Sequence, residues 1–247
     1  MYQGPQRFSL LPEVIKNLLI INGLFFLGYI VLSSAFGINL IERLGLYLPM
    51  ASQFEPYQII THMFMHGGLA HIFFNMFALW MFGYTLENLW GSKRFLTFYL
   101  ITGLGAALLH LGVQYWEYSG LAEQLSSSQL ARIQNEGWEV LQSGRNYSEP
   151  TMARANLLLN TTTVGASGAV FGVLLAFGMM FPNQYIYIYF AIPVKAKYFV
   201  AVYGAIELFS GIANDPGSNV AHFAHLGGML FGYLLIRYWR SNGTLYQ

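Results

Sequence analysis

The sequence lacks cysteine altogether and has few charged residues. None of its 247 residues is cysteine, and only 9% are Asp, Glu, Lys or Arg. The first absence excludes disulfides, thiolate metal sites and cysteine nucleophiles. The second excludes an ordinary soluble domain, in which about a quarter of the residues are charged. A formal net charge of +1 and the lack of a long basic run also argue against a nucleic-acid partner.

Apolar residues are abundant instead. Hydrophobic residues make up 55% of the chain, aromatic residues 17%, and the mean hydropathy is +0.44. Six stretches are long and apolar enough to predict transmembrane helices. The sequence therefore predicts an all-α membrane protein with six transmembrane helices in a single domain, residues 1–247. The six segments are about 14–36, 69–90, 95–116, 165–181, 195–212 and 221–239.

The first apolar segment could be a transmembrane helix or a cleaved signal peptide. Arg7 and Lys16 precede the apolar run 18–32, and the small residues 33–35 resemble a cleavage site. We favour an uncut first helix, because apolar character continues through Phe36 and the whole run is long enough to span a membrane.

The segments between the apolar runs differ in polarity. Residues 37–68 mix charged and aromatic side chains, which predicts an ordered, amphipathic first loop at the membrane interface. Residues 117–160 are polar and predict a long extramembrane insertion between helices 3 and 4, with a short helix near 121–142. Residues 183–193 alternate Tyr and Ile and predict an extended aromatic strip at the membrane surface.

The positive charges predict the orientation. With six crossings, eight of the 12 Lys and Arg residues lie on the side that holds both termini. Cytoplasmic segments are enriched in Lys and Arg, so we expect both termini in the cytoplasm and the insertion outside. The eight residues are Arg7, Lys16, Lys93, Arg94, Lys195, Lys197, Arg237 and Arg240.

This orientation brings a set of polar residues to one depth below the outer face. They are Ser167 in the first turn of the fourth segment, His71 and Asn75 on one face of the second, and His222 and His225 at the start of the sixth. A serine by itself is more often a small residue at a packed helix interface. Polar groups at this depth are costly, however, so their convergence indicates a functional site.

The chemistry that fits these residues is that of a serine hydrolase. A hydroxyl becomes a strong nucleophile when an imidazole removes its proton, so Ser167 would attack a carbonyl and a histidine of the sixth segment would act as base. Asn75, His71 and the backbone N–H of Ser167 are candidate donors to the oxyanion. The small neighbours Gly165 and Gly168 leave the serine hydroxyl accessible.

These motifs resemble those of the rhomboid intramembrane serine proteases. The nucleophile motif, a His-x3-Asn element, the sequence after the second histidine of the sixth segment and the inner end of the second segment all match, and they extend over most of the chain. The matching residues are Gly165-Ala166-Ser167-Gly168, His71 to Asn75, Ala224-His225-Leu226-Gly227-Gly228 with Gly232, and Glu87-Asn88-Leu89-Trp90-Gly91.

The resemblance implies a catalytic dyad of Ser167 and His225, with Asn75 and His71 in the oxyanion hole and Phe171 packed on the catalytic imidazole. It favours His225 over His222 as the base, and His222 is then a hydrogen-bonding neighbour. It further implies an enzyme that needs neither metal nor cofactor. Its substrates would be transmembrane segments of other proteins in the lipid bilayer, cleaved near the outer face.

The remaining polar residues admit two interpretations each. His62 and His66 have metal-ligand spacing, but we expect structural hydrogen bonds, as for His110. Glu207 could orient a histidine as a third catalytic member, although a buried glutamate more often pairs with another helix. The glycine pairs 168/172 and 228/232 predict close helix packing. Where some family members have Trp-Arg, this chain has Tyr57-Gln58.

The sequence thus predicts an intramembrane serine endopeptidase, expected in a bacterial inner membrane. One alternative is a catalytically silent rhomboid-like protein that binds membrane clients, against which the retained Ser, His and Asn argue. Another is a transporter or haem-binding membrane protein, against which the lack of an inverted repeat argues.

Overall fold

The computed structural model describes residues 8–188, 191–213, 221–243 and 245. A helix occupies each of the six predicted apolar segments. Arg7, and Tyr189 and Phe190 of the aromatic strip, lie outside the described residues. In chain order the helices are α1 (Glu13–Phe36), α2 (Leu40–Leu44), α3 (Gln58–Thr61), α4 (Leu69–Trp90), α5 (Ser92–Ala122), α6 (Ser127–Gln142), α7 (Pro150–Asn160), α8 (Ser167–Met180), α9 (Ala196–Ala213) and α10 (His222–Ser241).

Four of the described helices, α1, α4, α5 and α9, are long and apolar enough to cross a membrane. Helix α8 is apolar but has only 14 residues, which extend over roughly 21 Å, less than the ~30 Å hydrocarbon layer. Helix α10 has 20 residues and contains two histidines and two arginines. The chain is therefore a mostly helical, multi-pass membrane protein, and crossing by all six predicted segments stays a prediction.

Helix α8 lies at the centre of the bundle and contacts α4, α5, α9 and α10. Ten of its 14 residues are buried, as expected for a helix that is apolar on all sides. Its glycines let α10 approach: a Cβ added to Gly228 would collide with the carbonyl oxygen of Gly168, and one added to Gly232 would contact the backbone of Gly172. The two predicted glycine pairs thus face each other and bring the first turns of α8 and α10 together.

The first loop is ordered, as predicted, and contains α2, α3 and a short 3-10 turn. Gln58, which departs from the family pattern, is 1% exposed. Its side-chain amide donates to the carbonyl oxygens of Arg43, at 3.2 Å, and Gln53, at 2.9 Å. A neutral amide therefore joins separate parts of this loop.

The insertion contains two helices, α6 and α7, where the sequence analysis expected one. The prediction overlooked the signal for α7, a capping Glu149 followed by Pro150 at the first helical position. Helix α5 also continues to Ala122, six residues beyond its predicted end at 116. It continues because Tyr118 is buried in a second apolar cluster outside the main core.

This second cluster docks the insertion on the first loop. The Trp138 indole N–H lies 3.3 Å from the Tyr47 hydroxyl, and Arg154 of α7 is 2.8 Å from Glu117 of α5. Thr163, after α7, pairs with Leu46 through two backbone hydrogen bonds. The chain that leads from the insertion into α8 is therefore held against the first loop.

The aromatic strip forms an antiparallel hairpin, β1 (Tyr185–Ile188) and β2 (Ile192–Lys195), with Tyr185 opposite Lys195. The extended conformation was predicted, but the pairing was not. This hairpin is the exception to the predicted all-α class among the described residues.

In the last turn of α4, the buried Glu87 contacts α1 and the start of α5. Glu87 is 2% exposed, and its two carboxylate oxygens each accept a backbone N–H from the first turn of α1, from Val14 and Ile15, at 2.9 Å. The Ser92 hydroxyl donates to the same carboxylate at 2.7 Å. The carboxylate satisfies N–H groups that a helix start leaves without partners, so Glu87 is a structural residue.

Candidate active site

Ser167 is the first residue of α8 and is half-buried. The preceding turn depends on Gly165, whose φ of 125° lies in the region that favours glycine. A Cβ at Gly165 would also lie only 2.8 Å from Nε2 of His71. Glycine at this position therefore allows both the turn into α8 and the close approach of His71 to the serine.

His225 lies in the first turn of α10 and faces Ser167. Its Nε2 is 2.9 Å from the Ser167 Oγ, and the residue is 8% exposed. Phe171, one turn after the serine, stacks on the imidazole with ring centroids 4.1 Å apart and an interplanar angle of 7°. The structure thus brings together the three residues that the sequence analysis assigned to the dyad and its packing partner.

The other imidazole of α10 contacts a glutamate of α9. His222 Nδ1 lies 2.7 Å from the Glu207 Oε2, and the His222 ring is perpendicular to that of His225, with centroids 6.4 Å apart. His222 is a hydrogen-bonding neighbour, as expected, but its partner is the glutamate of α9.

Glu207 also contacts the imidazole that faces the serine. Its Oε2 lies 2.9 Å from His225 Nδ1, so one carboxylate oxygen is shared by two histidines. Glu207 is 4% exposed. The expectation favoured a glutamate that pairs with another helix or stays protonated over one that orients a histidine. The pairing exists, and the partner helix is the one that carries His225.

Two of the three expected oxyanion donors, Asn75 and His71, lie on α4, and the third is the backbone N–H of Ser167 on α8. The Asn75 side-chain nitrogen donates to the His71 carbonyl oxygen at 2.9 Å. An amide NH2 has two hydrogens, so this bond leaves a second one that can be donated. His71 lies against Gly165 and accepts a long hydrogen bond, 3.4 Å, from the Gly67 backbone N–H at its Nδ1. With Nδ1 as the acceptor, a neutral His71 carries its proton on Nε2, on the side of Gly165.

The remaining histidines surround the site. His62 Nδ1 lies 2.9 Å from the Gln58 carbonyl oxygen, and His110 Nε2 lies 2.8 Å from the Thr163 hydroxyl. Both therefore make the structural hydrogen bonds that were expected. His66 is fully buried, and its ring lies 5.0 Å from that of His71. Its ring nitrogens have no hydrogen-bond partner among the described residues, so the structural hydrogen bonds expected for His66 are not found there. Burial lowers the pKa of His66 to about 4, so its imidazole is neutral near pH 7.

A small cavity lies behind the serine. The volume that the centre of a water molecule can occupy there is about 20 Å³, so the cavity holds about one water molecule. Polar residues contribute to its lining together with backbone and alanine methyl groups. The polar residues are His62, His110, Thr163 and Ser167.

Comparison with known proteins identifies related chains. A family model described as the Rhomboid domain matches residues 53–242. The "Rhomboid protein 1, mitochondrial" of Saccharomyces cerevisiae is 29% identical over 176 residues, which cover 71% of this chain and 40% of the yeast protein. The "Rhomboid protease AarA" of Providencia stuartii is 28% identical over 181 residues, which cover 70% of this chain and 52% of that protein. The "Rhomboid protease GluP" of Bacillus subtilis is 37% identical over 59 residues, 24% of this chain and 12% of that protein.

The chain spans about half the length of the curated relatives it matches. Their names include both mitochondrial and bacterial proteins, so they give no support to a bacterial inner membrane over another membrane. The family model, in contrast, covers most of the chain and contains all of the residues described at the site. On this match, the chain belongs to the rhomboid family.

Proposed function

We propose that this chain is an intramembrane serine endopeptidase that hydrolyses peptide bonds in or near the transmembrane segments of other membrane proteins. Ser167 is the nucleophile and His225 is the general base. The observation that carries this proposal is the distance of 2.9 Å between Ser167 Oγ and His225 Nε2, two groups from different helices inside an apolar bundle. The protease names of several relatives agree with it.

The reaction proceeds in two steps. In the first, His225 Nε2 takes the hydroxyl proton while the Ser167 Oγ bonds to the substrate carbonyl carbon. The carbonyl electron pair moves to oxygen, and His225 then transfers the proton to the leaving amine nitrogen as the C–N bond breaks. In the second step, His225 removes a proton from water as the water oxygen bonds to the acyl carbon, and His225 then returns that proton to Ser167 Oγ as the carbon–Oγ bond breaks. The imidazole stacked on Phe171 keeps one orientation through both steps.

Three donors serve the oxyanion in this proposal. They are the second hydrogen of the Asn75 amide, the Nε2–H of His71 and the backbone N–H of Ser167 at the start of α8. Donors held in place before the reaction stabilise the negative oxygen without reorganising during it, and such a donor contributes about 10²- to 10³-fold in rate. Gly165 keeps the space between His71 and Ser167 open.

The substrate class follows from the expected depth of the site below the outer face. The peptide bonds of a transmembrane helix are hydrogen-bonded within that helix, so a substrate must unwind locally to present its carbonyl to Ser167. Small or helix-breaking residues near the cleaved bond favour such unwinding. In this proposal all six apolar segments of the single domain cross a bacterial inner membrane. Both termini are cytoplasmic, and the site opens to the outer face.

Cleavage of a model transmembrane substrate by purified protein tests the proposal. Wild type should cleave it and should be labelled by a fluorophosphonate, which reacts with an activated serine, whereas Ser167→Ala should lose both by at least about 10⁴-fold. Ser34→Ala is the matched control, because Ser34 is an exposed serine of α1 whose hydroxyl bonds only locally, to the Val31 carbonyl oxygen.

Two results would contradict the proposal. Folded wild type that neither cleaves nor is labelled would indicate the silent client-binding protein instead. Cleavage that survives in Ser167→Ala would exclude this serine as the nucleophile.

A further inference from the structure

The glutamate of α9 is placed where it can control the catalytic imidazole. Glu207 is 4% exposed, and its Oε2 lies 2.9 Å from His225 Nδ1, the ring nitrogen opposite the one that faces Ser167. An acidic residue in a membrane helix is costly to bury, and it persists where it has partners or a function. The contact links α9 directly to the reacting group.

The protonation of His225 follows from this contact. A neutral imidazole has one N–H, and a carboxylate can only accept a hydrogen bond. The His225 proton therefore lies on Nδ1, toward Glu207, which leaves the Nε2 lone pair directed at the Ser167 hydroxyl. This is the one neutral tautomer that can remove the serine proton.

Two contacts restrain the ring. Phe171 lies parallel to the imidazole plane and prevents it from tilting. Glu207 bonds to Nδ1 of the ring at 2.9 Å and opposes a rotation that would move Nε2 away from the serine. His222 donates to the same oxygen of Glu207 at 2.7 Å and so holds the carboxylate in turn.

We infer that Glu207 is a positioning residue that completes a Ser167–His225–Glu207 triad, an inference that rests on the proposed protease function. Glu207 takes no proton during the reaction. The proton moves from Ser167 Oγ to His225 Nε2, and the negative carboxylate stabilises the imidazolium that forms. His222 supports the triad from the other side of the same oxygen.

Glu207, His222 and His225 are the one group among the described residues that could also hold a metal ion. A tetrahedral zinc bound at about 2.0–2.1 Å would separate its ligand atoms by roughly 3.3 Å. The two contacts of the Glu207 oxygen, 2.7 and 2.9 Å, are instead typical of hydrogen bonds. The geometry therefore favours protons between these groups.

Steady-state kinetics of Glu207→Gln with the model substrate test this inference. The glutamine amide can turn its NH2 toward His225 and stabilise the wrong tautomer, so we expect kcat to fall by about 10²- to 10⁴-fold with KM nearly unchanged. The rate of fluorophosphonate labelling should fall in parallel. Glu207→Asp keeps the charge at a greater distance and should recover part of kcat.

Glu87→Gln is the matched control, since it makes the same change at another buried glutamate outside the site. It should lower stability and leave kcat per folded molecule unchanged. A 15N spectrum of histidine-labelled wild type, with His225 assigned from its loss in His225→Gln, gives a readout that does not depend on the folding of any Glu207 variant. We expect the Nδ1–H form.

Each contrary result has a separate meaning. If wild type is active and Glu207→Gln keeps its kcat within about threefold, or if His225 carries its proton on Nε2, the triad is wrong. If a metal chelator reduces kcat of wild type as much as Glu207→Gln does, the cluster is a metal site and the triad is again wrong. Inactive wild type would instead remove the proposed function itself.

Discussion

Glu87 and Glu207 are both glutamates buried in apolar helices, but different donors satisfy them. The Glu87 oxygens accept backbone N–H groups from the first turn of α1 and a serine hydroxyl. The Glu207 oxygen accepts from two imidazoles, one of which faces Ser167. Burial is almost equal, 2% and 4% exposed. Glu87 and Glu207 therefore differ in the identity of their donors and not in burial, and this difference distinguishes a structural glutamate from the proposed positioning residue.

The largest expected effect concerns the two imidazoles that share Glu207. His225→Gln removes the proposed base, which contacts Ser167, so kcat should fall by at least about 10⁴-fold. His222→Gln removes a donor to the carboxylate, and kcat should fall by about three- to tenfold because the Glu207–His225 contact is retained. Steady-state cleavage by both variants, normalised to folded protein, measures the difference.

Comparable losses of kcat in His225→Gln and His222→Gln would contradict the proposed difference between the two histidines. Such a result would mean that the cluster of Glu207, His222 and His225 works as one unit and that contact with the serine does not distinguish its histidines. A larger loss in His222→Gln than in His225→Gln would move the base to His222.

The next largest effect is on stability and concerns Glu87 in the last turn of α4. Glu87→Gln keeps the shape of the side chain but removes the charge that accepts two N–H groups of α1, so the free energy of unfolding should fall by about 1–3 kcal/mol. Reversible unfolding in mixed micelles measures this loss, and cleavage per folded molecule should not change. A fall in kcat without a fall in stability would place Glu87 in the functional class and remove the contrast with Glu207.

Much of the fold was predictable because the membrane imposes a simple rule on sequence. A long apolar run must be helical in lipid, so all six segments contain helices close to their predicted bounds. The insertion obeys no such rule. Helix α7 forms with a signal of only two residues, Glu149 and Pro150, and α5 extends because Tyr118 finds a partner cluster that is distant in sequence.

The candidate site was predictable to the extent that its residues lie in local motifs. Ser167, His225 and Asn75 each stand in such a motif, and the resemblance to the rhomboid family implied the position of Phe171, four residues after the serine. Glu207 lies in an apolar helix with no motif around it, 18 residues before His225. Its partner depends on how α9 packs against α10, which is a tertiary property. A single acidic residue in an apolar segment indicated that Glu207 has a hydrogen-bonding partner, but the sequence did not identify that partner.

The smallest expected effect tests whether a structural carboxylate stabilises the fold more when it is buried than when it is exposed. Glu149 caps α7 with the same donors that Glu87 uses, two backbone N–H groups, from Thr151 at 2.9 Å and Met152 at 2.6 Å, but it is exposed to water. These bonds lower the pKa of Glu149 below its ordinary value. Its stabilisation is therefore complete above the pKa of the unfolded chain and is lost as the pH falls through the lower pKa of the folded protein.

Amide hydrogen exchange of α7 in wild type and Glu149→Gln, compared at each pH, measures this cap. Wild type should be better protected at neutral pH, and the two proteins should converge as Glu149 becomes protonated. Because water competes for the exposed carboxylate, the loss in Glu149→Gln should be smaller than in Glu87→Gln and confined to the first turn of α7. An equal loss at both glutamates would show that the backbone donors alone set the strength of the contact. Burial would then add nothing to the strength of a structural carboxylate, and Glu207 would differ from both Glu87 and Glu149 in the identity of its donors alone.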